Sequence, residues 1–173
     1  MIARIGLRLV LLLTVGGTIA CDRVTKHVAS TTLAGTESRS FLADTVRLHY
    51  VENAGGFLSL GADLPPVIRT VLFTIVSGAM LLTLVAAGIR FRWTGWPLLA
   101  LAFFTAGGAS NWLDRATRGS VIDFLNVGVG TFRTGIFNVA DMAILVGVAI
   151  FAFSELRRTA TPEPPAPASD DTA

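Results

Sequence analysis

The stretch FNVADMAILVGVAIFAF, Phe137 to Phe153, contains only two strongly polar residues, Asn138 and Asp141. Its length approaches the roughly 20 apolar residues that cross the hydrocarbon core of a bilayer. An ionisable side chain in such a segment is costly unless it is paired or hydrated, so it is a candidate functional group. The stretch therefore predicts a transmembrane helix with a functional carboxyl group near its start.

Three further apolar runs precede this one, at about residues 5–21, 66–89 and 93–112. Of the 173 residues, 52% are hydrophobic and 15% are charged, whereas about a quarter are charged in ordinary soluble domains. The sequence therefore predicts an all-α membrane protein with four transmembrane helices. The net charge is only +2 and no basic field is evident, so nucleic acid is not expected as a partner.

Basic residues indicate how these helices are oriented. They occur in the short turn between the second and third runs and beside both termini: Arg4, Arg8, Arg90, Arg92, Arg157 and Arg158. By the positive-inside rule these regions are cytoplasmic, so we expect both termini in the cytoplasm. We expect a single membrane domain over residues 1–156, followed by a disordered cytoplasmic tail over residues 157–173 that is rich in Pro and Ala.

The two connections on the opposite side, at about residues 31–64 and 114–135, carry strand signals. In the first, Val46, Leu48 and Tyr50 occupy alternate positions. In the second, the apolar run from Val121 to Leu125 precedes a glycine-rich turn. We therefore expect a small extracytoplasmic β element formed by the first and second outer connections.

The lone cysteine, Cys21, lies in TIACDRVTK directly after the first apolar run. A small residue followed by Cys after an apolar run is typical of a lipoprotein precursor, in which Cys21 would be lipidated. Such a precursor needs only one apolar run, whereas this chain has three more. We therefore interpret Cys21 as a packing residue near a helix end and keep an anchored lipoprotein as an alternative.

The third and fourth helices are antiparallel neighbours, so Asp123 and Asp141 fall at the same membrane face and could meet. Two close carboxyl groups cannot both ionise, so they share one proton. This is the arrangement that aspartic proteases use. Four alternatives stay open: Asp–Arg pairs, helix caps, a Ser–Lys dyad based on Lys26 with Ser59 or Ser110, and a small transporter or proton relay. No His or Cys cluster has metal-ligand spacing, so no cofactor is expected.

Five ordered blocks of the sequence resemble the bacterial lipoprotein signal peptidase family, signal peptidase II. They are DRVTK from Asp22, ENAG from Glu52, GGASNWLDR from Gly107, GSVIDF from Gly119 and FNVAD from Phe137. The resemblance implies an aspartic endopeptidase of the inner membrane that needs no metal. It would cut prolipoproteins just before a diacylglyceryl-modified cysteine, among membrane lipids, and globomycin would inhibit it.

The same resemblance implies which residues form the site. The two catalytic aspartates match Asp123 and Asp141. The other motif positions match Asp22, Lys26, Asn53, Gly108, Asn111, Asp114, Arg115, Asn138 and Ala140.

This sequence departs from the family pattern at three places. Ser110 replaces a common Gly, Met142 replaces a common Ser, and the aromatic Phe57 is shifted by one position. We expect none of these residues to contact a carboxylate, so the departures bear on substrate detail more than on activity.

Overall fold

The computed structural model describes the backbone of residues 2–160 and the side chains of residues 9–159. Within that range the chain is mostly helical, with one small sheet. Four long helices account for most of it: α1 (Ile2–Thr32), α2 (Pro66–Arg90), α3 (Gly95–Arg118) and α4 (Val139–Ala160). The strands are β1 (Arg39–Phe41), β2 (Val46–Asn53), β3 (Val121–Val129) and β4 (Phe132–Arg133).

Local sequence sets where these helices begin and end. Pro66 occupies the first position of α2, where its missing N–H costs no hydrogen bond. Inside α2, residues Val71–Val76 form a wider π-helical turn. Gly119 ends α3 in the left-handed conformation, with φ of 77°, that glycine adopts without steric cost.

Two of the described helices, Pro66–Arg90 and Val139–Thr159, are long and apolar enough to cross a membrane. The other two long helices, α1 and α3, carry buried polar residues toward their C-terminal ends. The fold is therefore that of a helical protein with two clearly membrane-compatible helices and a small antiparallel sheet.

Helix α3 lies at the centre of the molecule and packs against the other three helices, whereas α1 and α2 contact one another little. Small residues allow α3 and α4 to approach closely. Gly107 of α3 contacts the Ala140 carbonyl oxygen, and Gly147 of α4 lies against the Ala100 carbonyl oxygen and Phe104.

The predicted β element is present. The four strands form an antiparallel sheet in the order β1-β2-β3-β4. A register shift in β2 lies between Leu48 and Val51, and Val51 then pairs with Asp123. Ile122 and Phe124 of β3 pack with Ala29 and Leu33 at the end of α1, so the sheet is fixed to the first helix.

Three helices extend beyond the apolar runs that predicted them. Helix α1 continues to Thr32, so Cys21, Asp22 and Lys26 lie within the helix and not at its end. Helix α3 continues to Arg118, which carries Asn111 and Asp114 into the helix. Helix α4 continues to Ala160, so residues 157–160 are helical. The rest of the expected tail, residues 161–173, lies outside the described residues.

Candidate active site

The start of α4 positions the first carboxyl group. Asn138 caps the helix, since its Oδ1 accepts the Asp141 backbone N–H at 2.9 Å. In return the Asp141 Oδ2 accepts the Asn138 backbone N–H at 3.2 Å. This reciprocal pair is a capping box, which satisfies two N–H groups that a helix start would otherwise leave unbonded. The other oxygen, Asp141 Oδ1, accepts from Asn111 Nδ2 of α3 at 2.8 Å.

Strand β3 positions the second carboxyl group. Asp123 is 2% exposed, and its Oδ1 accepts from Asn138 Nδ2 at 2.6 Å. Its Oδ2 accepts from Asn53 Nδ2 of β2 at 2.8 Å. Burial raises the pKa of Asp123 to about 6; the bonds from Asn53 and Asn138 oppose that rise, and the neighbouring Asp141 adds to it. A single residue, Asn138, therefore contacts both carboxylates.

Asn53 is fixed by the turn that follows its strand. Its Oδ1 accepts the Gly55 backbone N–H at 2.9 Å, and its Nδ2 also donates to the Gly56 carbonyl oxygen at 2.9 Å. Arg115 of α3 donates to the Gly55 carbonyl oxygen at 2.6 Å through one guanidinium nitrogen. The turn after β2 is thus tied both to the Asp123 carboxylate and to α3.

A buried ion cluster lies directly behind the carboxyl pair. Lys26 is only 3% exposed, and its Nζ lies 2.7 Å from Asp22 Oδ2, 2.8 Å from Asp114 Oδ2 and 2.7 Å from Asn111 Oδ1. The contact with Asn111 is a hydrogen bond, and the two carboxylates form ion pairs with the ammonium group. Asp22 and Lys26 are four residues apart in α1, a helical spacing that places them on one face. Lys26 Nζ contacts two carboxylates and an amide oxygen, and the Ser110 hydroxyl donates to Asp22 Oδ2, so neither group is paired as a Ser–Lys dyad requires.

Asp22 joins three helices. Its side chain is fully buried, its Oδ1 accepts the Ala140 backbone N–H at 2.9 Å, and its Oδ2 accepts the Ser110 hydroxyl at 2.6 Å. The expectation that the Ser110 departure would not touch a carboxylate is therefore wrong. A glycine at this position would lack the hydroxyl, so Ser110 adds a donor that the usual residue cannot supply.

Arg23 is the residue that the sequence reasoning missed. It forms an ion pair with Asp114, whereas Arg115, the adjacent residue expected as a partner, reaches Gly55 instead. The available signal was helical spacing: Arg23 and Lys26 are three residues apart in α1, so they lie on one face and can share an acceptor.

Beside the carboxyl pair, an apolar cavity with a volume of about 410 Å³ lies between α2, α3 and α4. Asp141 and Arg115 line it, together with Phe57 from the loop after β2. Gly108 also lines the wall, and a methyl group there would lie 2.6 Å from Leu81 Cδ2, so a larger residue would have to displace the Leu81 side chain. Met142 and Cys21 are exposed and do not line the cavity.

All the site residues predicted from the sequence lie in this cluster or line its cavity. Two carboxyl groups that both accept hydrogen bonds from Asn138, beside an apolar cavity, can polarise a carbonyl group and activate water. Among residues 2–160, no group of three or more His, Cys, Asp or Glu side chains is placed to hold a metal ion.

Comparison with known proteins assigns the family. The family model for Signal peptidase (SPase) II matches residues 14–157. The lipoprotein signal peptidase of Desulforapulum autotrophicum is 35% identical over 136 residues, which cover 78% of this chain and 84% of the relative. The lipoprotein signal peptidase of Geobacter sulfurreducens is 34% identical over 143 residues, which cover 82% of this chain and 88% of the relative.

A solved bacterial membrane enzyme, determined by the in meso method at 2.3 Å resolution, has the same fold. The TM-score is 0.79 at 23% sequence identity, over 91% of this chain and 93% of that chain. The fold and the five sequence blocks thus agree with the family model, which spans most of the chain. This membrane protein belongs to the signal peptidase II family.

Proposed function

We propose that this protein is an aspartic endopeptidase that removes signal peptides from diacylglyceryl-modified prolipoproteins by cutting before the lipidated cysteine. One observation carries the proposal: Asn138 holds Asp123 and Asp141 together where the apolar cavity begins. The relatives named above are lipoprotein signal peptidases, which supports the choice of substrate.

The proposed chemistry uses one proton shared by the two carboxyl groups. The ionised carboxylate takes a proton from the attacking water, and the protonated carboxyl group polarises the scissile carbonyl group. The tetrahedral intermediate then collapses as the leaving amine receives a proton. A pKa of about 6 for Asp123 supports this step, because such a group can hold a proton closer to neutral pH than an ordinary aspartate does.

The other residues of the site hold the carboxyl groups and the helices in position. Asn53, Asn111 and Asn138 orient the carboxyl oxygens through amide donors. Asp22 and Lys26, with Asp114, would hold the start of α4 against α1 and α3. Ala140 contributes a backbone N–H, and Gly108 keeps the cavity open for an apolar part of the substrate.

The proposal includes a membrane topology. Helices α1 to α4 would cross the bacterial inner membrane four times, with both termini in the cytoplasm and the sheet outside. The carboxyl pair would then lie near the outer surface, at the depth of a lipid-anchored scissile bond. Reporter fusions after Arg92 and after residue 130 test this, and we expect cytoplasmic and extracytoplasmic signals respectively.

The decisive test is cleavage of a lipidated prolipoprotein by purified protein. Asp123→Asn and Asp141→Asn should each abolish cleavage and leave the protein folded, because Asn keeps the size but cannot share the proton. Asp63→Asn, at an exposed carboxylate before α2, is the matched control and should cleave normally. Near-normal turnover by either dyad variant would contradict the aspartic mechanism.

Inhibition by globomycin is expected in the same assay.

A transporter or proton relay would need ionisable groups spread through the depth of the membrane. The buried carboxylates here gather in the C-terminal halves of α1 and α3 and at the starts of β3 and α4, which favours the peptidase.

A further inference from the structure

A second groove lies between α1 and α2, and no member of the proposed dyad lines it. Its volume is about 410 Å³. Leu11 and Val15 of α1 form one wall, Val85 of α2 the other, and Leu98 and Ala102 of α3 the floor. Arg92, in the turn after α2, lies at its end. The groove exists because α1 and α2 are held apart by α3.

The interior of this groove offers only apolar contacts to a ligand. The hydroxyl of Thr105 donates to the Leu101 carbonyl oxygen at 2.6 Å, and the Gly88 carbonyl oxygen accepts the Trp93 N–H at 3.0 Å. These two polar groups of the lining are therefore already bonded within the protein. From Leu98 to Thr105 the floor spans seven residues of helix, about 10 Å. An extended hydrocarbon chain fits this composition.

The backbone at Arg92 is unusual for a residue with a side chain. Trp93 N–H bonds to the Gly88 carbonyl oxygen and Arg92 N–H bonds to that of Ile89 at 3.2 Å, which together form a Schellman motif. Its left-handed position normally holds Gly or Asn. Here Arg92 has φ of 50°, which is sterically unfavourable for a residue with a Cβ atom. Such an outlier at the end of a groove suggests a function for the side chain.

We propose that this groove binds an anionic phospholipid, with one acyl chain between α1 and α2 and the phosphate at Arg92. A guanidinium group binds phosphate oxygens in a bidentate manner, and an apolar groove suits an acyl chain. A signal peptide is disfavoured as the occupant, because its positively charged start would be repelled by Arg92. The bound lipid would fill the space that separates α1 from α2.

The test measures lipid bound to purified protein in detergent by native mass spectrometry, with phosphatidylglycerol or phosphatidylcholine added. Wild type should bind phosphatidylglycerol about tenfold more tightly, the effect of one charge-assisted hydrogen-bonded contact. Arg92→Gly should reduce that affinity to the level of phosphatidylcholine. This variant should fold well, because glycine suits the left-handed turn. Arg90→Gln, at the exposed end of α2 outside the groove, is the matched control and should keep the preference.

A second pair of variants tests the acyl site. Val15→Trp should fill the groove and weaken binding of both lipids, whereas Leu12→Trp, at a position 71% exposed, should not. The proposal is overturned if wild type shows no preference for phosphatidylglycerol, if Arg92→Gly keeps it, or if Val15→Trp binds normally. It is equally overturned if a synthetic signal peptide displaces the lipid one for one, since the groove would then belong to the substrate.

Discussion

Asn138 shows how much positioning one residue can provide. Its Oδ1 caps α4, and its Nδ2 donates to Asp123 at 2.6 Å and to Asn111 Oδ1 at 3.2 Å. All the hydrogen-bonding capacity of the amide N–H groups is therefore used. One side chain therefore both caps α4 and orients the Asp123 carboxylate.

At Asp123 the pH dependence of stability has a definite sign. Its folded pKa of about 6 lies above the ordinary 3.8, because the buried carboxyl group favours the protonated form. The stability that the protonated Asp123 contributes to the folded state is complete below about pH 3.8 and is lost as the pH rises through 6. Relative to Asp123→Asn, the wild-type free energy of unfolding should fall by up to about 3 kcal/mol between pH 4 and 7. Unfolding in detergent across this range measures it, and parallel curves would contradict it.

Asp44 supplies the control of opposite sign. Hydrogen bonds from Arg47 and then Ser40 hold the pKa of this carboxyl group well below its usual range. A lowered folded pKa gives stability above the ordinary pKa that is lost as the pH falls. Asp44→Asn should therefore reduce the loss of stability as the pH falls, whereas Asp123→Asn should reduce the loss of stability as the pH rises toward 7.

Two neighbouring residues of α1 should respond very differently to alanine. Cys21 is exposed, so Cys21→Ala should change stability by about 0.5 kcal/mol or less and leave cleavage intact. Asp22→Ala would leave Lys26 short of a partner and free the Ala140 N–H, at a cost of about 3–5 kcal/mol. Protein level and prolipoprotein cleavage in a strain without its own enzyme measure both. If Cys21→Ala abolished cleavage and Asp22→Ala left it unchanged, the lipoprotein interpretation would be restored.

At the scale of elements, the close approach of α3 to α4 depends on glycine. A Cβ atom at Gly107 would clash with the Ala140 carbonyl oxygen and lie 3.0 Å from Ile144 Cγ1. Backbone cannot move aside as a flexible side chain can, so the helices would have to separate. Since Ala140 N–H bonds to Asp22, this separation would also disturb the site.

Gly107→Ala should therefore destabilise the protein by about 1–3 kcal/mol and lower cleavage. Gly17→Ala is the matched control, because nothing lies within 4 Å of the added methyl group in α1. There, alanine should stabilise the helix by up to about 1 kcal/mol. Thermal unfolding of both variants in one detergent gives the comparison, and equal shifts would contradict the close-packing argument.

Element types were more predictable than element ends. Apolar runs located all four helices, and alternation at Val46, Leu48 and Tyr50 located β2. The ends of α1 and α3 could not be read in this way, because both helices continue past their apolar runs through polar residues that belong to the buried ion cluster. Contacts between distant parts of the sequence could not be predicted either. Helical spacing indicates the Asp22–Lys26 pair, but the Arg23–Asp114 pair joins residues that are 91 positions apart.

For the whole molecule, the proposed chemistry depends on carboxyl groups and water alone. Cleavage should therefore persist in excess EDTA, because the described residues form no cluster able to hold a metal ion. Turnover of a lipidated prolipoprotein before and after chelation measures this. Activity lost to EDTA and restored by a divalent cation would contradict the prediction, and a zinc peptidase treated alongside verifies that the chelator works.

The long sequence distances within the polar cluster have a consequence for biosynthesis. Lys26 meets Asn111 across 85 positions, and Asp22 meets Ala140 across 118. While the ribosome is still making the middle of the chain, the charges of α1 have only one another as partners. The site closes only when α4 has been made. A nascent or prematurely terminated chain that lacks α4 thus contains no assembled site.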